Sequence, residues 1–159
     1  MVSRYVRRLR REQGFLTWLI PILTQEEWFA IRKFTKYGVP PNHRTLERIA
    51  KGDHLVFYLS KLKGEDLGGN FVGAYLVVSE WMKERWPMLP GDKQGSIKFP
   101  YRIKIELVKE GLTNFWKLAP KLSFVGFKNN PSHYLRGTPA NLNRPLPPSD
   151  YQLILDNLS

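Results

Sequence analysis

Tyr101, Ile103, Ile105 and Leu107 alternate with Arg102, Lys104 and Glu106, the period-two pattern of a strand with one buried and one wet face. Three more runs are rich in β-branched and aromatic residues. Residues 16–23 form a strand with Pro21 at an edge or near its end, 54–60 form a second, and 71–80 a third that makes a hairpin with it. Helical spacing shows elsewhere: Thr24 and Glu27 make a capping box, and Trp28, Ile31 and Phe34 recur on one face until Gly38, a plausible stop. Pro40 and Pro41 then force a loop. Leu46, Ile49 and Ala50 suggest one or two helical turns before the turn Lys51-Gly52-Asp53.

The stretch 81–98, with two Trp, two Pro and two Gly, is long for a structureless connection, and such loops are usually functional or mobile. Residues 115–127 are mixed, and the polar loop 128–148 has one regular-looking piece, Ser132-His133-Tyr134-Leu135. Ser149 and Gln152 form a second capping box, with Tyr151, Ile154, Leu155 and Leu158 as the apolar stripe of a closing helix. Strands dominate the middle and helices bracket it, with no βαβ rhythm. This excludes a doubly wound parallel sheet and fits an α+β fold, a small, partly antiparallel barrel with flanking helices.

At 159 residues the chain has the size of one domain. Its 42% apolar content and its five Trp, seven Tyr and nine Phe argue for a folded core. Charge adds a direction: Lys and Arg number 25 against 14 Asp and Glu, a net +11, so the expected partner is a polyanion. Arg4, Arg7, Arg8 and Arg11 fall on one face if the first fifteen residues are helical, which makes residues 1–15 a basic arm or helix ahead of a domain over 16–159. Arginines before an apolar run superficially copy a secretory signal, but no small-residue cleavage site follows. No run approaches the ~20 apolar residues of a membrane span, so no membrane partner is expected. Absence of Cys removes disulfides, thiolate nucleophiles and cysteine-ligated metals, and a reducing cytoplasmic setting is the simplest expectation.

Catalytic motifs are missing. There is no G-x-S-x-G, and His43, His54 and His133 lie in unrelated contexts with no i, i+4 pair, so neither a triad nor a metal site is expected. Gly64, Gly68 and Gly69 open no phosphate-cradling loop. What remains is positive charge combined with loop aromatics. Phosphates take Lys and Arg, and exposed bases stack on rings. Tyr37, Trp81 and Trp86 sit at element ends or in irregular chain, where each could equally plug a barrel end, whereas Trp28 reads as core.

Six segments in order, TWLIPILTQEEWFAIRK, Tyr37-Gly38-Val39-Pro40 with RIAKGDHLVFYL, FVGAYLVVSE, FPYRIKIELV, PKLSFV and RPLPPSDYQLI, resemble the EVE domain of the PUA-like superfamily over residues 16–158. The resemblance implies a curved, mostly antiparallel β-barrel with short flanking helices, and kinship with YTH domains, which bind RNA carrying a methylated adenine in an aromatic cage. It also implies a reader of modified bases, notably methylated cytosine, in DNA or RNA, without catalysis or cofactor.

Tyr37 stands where the family usually has a cage Trp before Gly-Val-Pro, and it offers a smaller face and a hydroxyl. Pro131 replaces a Trp that many relatives carry before Ser-x-His, so one possible wall is missing. By analogy Trp86, with Trp81 second, supplies the other wall. Gly38, Val39 and Pro40 would line the pocket, and Thr24, Ser123, Asn129 and backbone near Leu23 would test the base edge. Lys36, His43, Arg44, Lys128 and Arg136 would hold phosphates, with Arg4, Arg7, Arg8 and Arg11 as further grip. Two other readings stay open: a general RNA-binding module without modification readout, and an amidohydrolase on modified cytidine using Thr24, Glu80 and a Lys.

Overall fold

Period-two alternation in the central strands feeds two cores, one on each face of a single curved sheet. In β1 (Thr17–Ile22), Trp18, Ile20 and Ile22 point to one core and Leu19 to the other. β3 (His54–Leu59) sends Leu55, Phe57 and Leu59 one way, and Val56 and Tyr58 the other. A computed structural model describes residues 3–61, 65–137 and 139–159. Residues 1–2 of the expected arm, 62–64 of the polar connection (Gly64 among them) and 138 of the late loop lie outside the described residues.

The strand order is β1-β3-β4-β6-β2, with β4 at Asn70–Val77, β6 at Tyr101–Asn114 and β2 at Lys36–Val39; a short β5 (Met82–Lys83) pairs with β6 off this path. All pairs are antiparallel except β1 with β3, whose register runs from Thr17 opposite His54 to Ile22 opposite Leu59. Pro21 is accommodated because β1 is an edge strand. β6 changes partners along its length. Its first residues pair with β2 and β5, its remainder with β4, and the sheet curls into a half-barrel.

The helix α1 (Arg4–Gln13) and α2 (Gln25–Phe34) pack on the first core through Val6, Trp28 and Ile31. The single turns α3 (Thr45–Arg48) and α4 (Phe115–Leu118) follow, and α5 (Pro148–Asn157) closes the second core with Ile154, Leu158 and Phe115. Trp28 is 1% exposed, against Phe57 at 5.5 Å and Tyr75 at 6.1 Å. Each such buried side chain is worth about 1.5–3 kcal/mol. No helix among the described residues is long and apolar enough to cross a membrane.

Three sequence expectations are corrected. Helix α2 stops at Phe34, with Thr35 left-handed at φ 47°, and not at Gly38, because residues 36–39 are claimed by β6 as the strand β2. Ser149 does not cap α5: Pro147 occupies that position, and Asp150 in the first turn accepts from Ser123 N, Ser123 Oγ and Phe124 N instead. Arg102, placed on the wet face by alternation, is fully buried, since the loop before β6 covers that face with Trp86, Asp92 and Phe99.

Candidate functional site

Loop residues Asn42, His43 and Arg44, the turn α3, the edge of β1 and a loop at residues 140–142 enclose a cavity of about 690 Å³, within the usual range for ligand sites. Tyr37 of β2 reaches it from the core side, Ile20, Pro21, Ala140 and Leu142 supply apolar wall, and Asn42 and Asn141 supply amides. Arg44 joins the two loops, its guanidinium donating to Asn141 O at 2.9 Å and Asn143 Oδ1 at 3.3 Å.

Electrostatics sort the lining groups. Burial, with the charge of Glu27 second, pushes the Tyr37 phenol far above its usual value, so the ring stays neutral with a hydroxyl to donate. Burial first, then the Arg44 guanidinium, hold the His43 imidazole below its usual value. His43 Nδ1 lies 2.9 Å from Thr45 Oγ1 and accepts from Thr45 N at 3.3 Å. His43 is therefore an uncharged, oriented ring near neutral pH, and Arg44 and Arg48 carry the positive charge.

Trp86 is not brought to this cavity. Its indole covers the Arg102 guanidinium at 4.6 Å, with Lys36 Nζ at 5.3 Å and Phe34 edge-on at 5.0 Å. Beneath it, Arg102 donates to Phe99 O, Trp86 O and Asp92 Oδ2, while Glu84 takes Lys36 at 2.8 Å. Lys36 is therefore engaged with a carboxylate. Trp81 is tied by its indole N–H to Ile49 O at 3.0 Å and does not line the cavity.

Other expected site residues serve the fold. A Cβ on Gly38 would lie 3.2 Å from Met88 Cε, 3.3 Å from Leu89 Cδ1 and 3.4 Å from Arg102 Cγ, so Gly38 admits the Trp86 loop. Gly38→Ala is expected to overpack this contact at about 1–3 kcal/mol, read as a lowered denaturation midpoint; an unchanged midpoint would contradict it. Val39 is core and Pro40 half-buried. Thr24 Oγ1 accepts from Glu27 N as the α2 cap, Ser123 is bound to Asp150, and Lys128 Nζ donates to Ala119 O and Leu122 O. Asn129 and Arg136 are exposed in the late loop, away from the cavity lining, and neither Thr24 nor Glu80 lines it. Arg4, Arg7, Arg8 and Arg11 share one face of α1 with Tyr5.

Sequence reading missed Asn42, Asn141 and Leu142. Leu142 left a trace only in structure, a left-handed φ of 66°. It also missed the buried Asp53 and Asp150, and Asp92, a half-buried residue with an enclosed side chain, which fix the loops and whose local signal is only a turn or helix-start context.

Comparison with known proteins bears on the family and the fold. The EVE domain model matches residues 18–157. The UPF0310 protein SSO2595 of Saccharolobus solfataricus is 35% identical over 138 residues, covering 86% of this chain and 91% of that one. In fold, the chain is similar to the YTH domain of Zygosaccharomyces rouxii MRB1 solved with N6-methyladenosine RNA (TM-score 0.57, 12% identity, 91% and 86% of the chains). It is equally similar to the Pho92 YTH domain solved with m6A (0.57, 15%, 92% and 84%). The matched span runs from Trp18 in β1 to Asn157 at the end of α5 and so takes in every strand described but for Thr17: the chain belongs to the EVE domain family.

Proposed function

We propose that this protein is a non-enzymatic nucleic-acid-binding module that reads a modified base, methylated cytosine or a similar one, in DNA or RNA. The observation that carries the reading is the cavity with Tyr37 in its wall, amides from Asn42 and Asn141 beside it, and Arg44 and Arg48 among its lining. Tyr37 is a core residue, 8% exposed and packed on Phe57 at 5.8 Å, so an extruded base meets only the part of the phenol that faces the cavity; its edge is tested by the amides, and the arginines take flanking phosphates. The YTH domains solved with methylated-adenosine ligands support the reading at the level of the shared fold.

Labelled single-stranded and duplex oligonucleotides, with and without methylated cytosine or adenine, test it by fluorescence anisotropy. One seated methyl adds about 0.8 kcal/mol, or roughly four-fold in affinity. Tyr37→Ala is expected to lose about 1–3 kcal/mol of stacking and the preference with it, while Tyr37→Phe retains both. Equal affinity for modified and plain strands sinks the reader.

A general RNA-binding module without modification readout is favoured by one observation: among the described residues Tyr37 is the only Phe, Tyr or Trp lining the cavity. On that reading Tyr37→Ala leaves affinity unchanged in a folded protein.

A further inference from the structure

We propose that the outward face of α1, continued by Arg144, is a phosphate-docking track for the strand that flanks the nucleotide in the cavity. The inference rests on the nucleic-acid reading above, but four of its cations, Arg4, Arg7, Arg8 and Arg11, lie outside the matched span 18–157.

Helix α1 is pinned by its inward face. Val6 is fully buried, and Arg10 donates to both carboxylate oxygens of Asp53, at 2.6 and 2.9 Å, and to Arg48 O at 3.0 Å. The opposite face carries Arg4, Arg7, Arg8 and Arg11. Its sequence works against the helix: the first turn has no acidic residue and two arginines face the positive end of the dipole. The arginines also repel one another at i, i+3 and i, i+4 spacing. Of these four, among the described residues, Arg8 alone has a carboxylate near, Glu12 at 3.9 Å, in a largely exposed pair. Among the described residues Arg4, Arg7 and Arg11 have no carboxylate within ion-pair distance. A rigid helix presenting four guanidiniums over about 10 Å, three of them without a carboxylate among the described residues, is shaped for a line of anions.

Arg144 links this face to the cavity. Its guanidinium and that of Arg8 both lie over the Tyr5 ring, at 5.3 and 5.5 Å. It follows Asn143, which Arg44 holds, and Leu142, which lines the cavity. The cations thus run from Arg44 through Arg144 and Arg8 to the rest of α1.

The test compares wild type, the quadruple Arg4→Gln, Arg7→Gln, Arg8→Gln, Arg11→Gln variant, and Arg144→Gln. Binding is measured against a labelled oligothymidylate dodecamer and a modified trinucleotide at salt concentrations from about 50 to 200 mM. Glutamine keeps helix propensity and leaves Val6 and Arg10 in place; circular dichroism checks the fold. Each lost phosphate contact should flatten the log–log salt slope by about 0.7 on a single strand. The quadruple variant is therefore expected to lose about 2–3 in slope on the dodecamer and Arg144→Gln about 0.7, with trinucleotide binding unchanged. Failure of the dodecamer to bind wild type, or an unchanged slope in the folded quadruple variant, overturns the track. If wild type shows no preference for the modified base while the slope still flattens, the reader fails and the track stands.

Discussion

Asp53→Ala is expected to destabilise the domain by about 3–5 kcal/mol, the cost of removing one partner from a buried ion pair. The carboxylate is fully buried. Besides Arg10 it accepts from Leu16 N at 3.1 Å, Trp18 Nε1 at 3.0 Å and Ala50 N at 3.0 Å. Its loss strands three N–H donors as well as a guanidinium. It also uncouples α1, the start of β1 and the turn after α3 at one point. Against a typical total of about 5–15 kcal/mol this is a large fraction, and it should lower Tm by about 6–20 °C. Arg10→Ala is expected to cost less, because its side chain is 30% exposed and Asp53 keeps its three N–H donors. Chemical denaturation of both variants decides, and an Asp53→Ala loss below that of Arg10→Ala contradicts the assignment.

Asp92→Ala is expected to be comparably severe, at about 3–5 kcal/mol, and to release Trp86. Oδ2 takes Met88 N, Leu89 N and Arg102, and Oδ1 takes Lys98 N and Phe99 N, so one carboxylate folds back the whole irregular loop ahead of β6. Burial, the largest single influence, pushes its pKa up, yet the N–H donors together hold it below the ordinary 3.8. A carboxyl depressed in the folded state contributes stability that is complete well above 3.8 and lost as pH falls through the lowered value. The stability difference between wild type and Asp92→Asn should therefore be full at pH 6 and shrink in acid, as followed by thermal melts across pH. A difference that grows in acid contradicts the sign. Trp86 emission, now set by the indole over Arg102, should change in both variants.

These aspartates mark where the sequence was silent. Strands β1, β3, β4 and β6 and the α2 cap were legible because alternation and capping are local signals. β2 was not: four residues containing a glycine become a strand only by pairing with Lys104 to Tyr101, far along the chain. Arg102 followed the polar half of a clean alternation and was buried all the same, because what covers it is an irregular loop with no period to read. At the site, Tyr37, His43 and Arg44 were legible because one short segment carries them. The opposing wall at Asn141 and Leu142 comes from a loop whose only trace is polarity. Trp86 was assigned by analogy with YTH domains, and its place in an irregular loop gives no side-chain direction that could have shown it lying over Arg102.

The partner exchange along β6 sets an order of assembly. During synthesis β1, β3 and β4 can pair as soon as they emerge, since each finds a neighbour within the first half of the chain. β2, made before β3 and β4, has no strand partner but β6 among the described residues, and must wait exposed until Tyr101 to Lys104 are available. At about 5–20 residues per second, that interval lasts several seconds. The strand that carries Tyr37 is thus made early and completed late, and the cavity closes later still, when the loop at residues 140–142 follows the last strand.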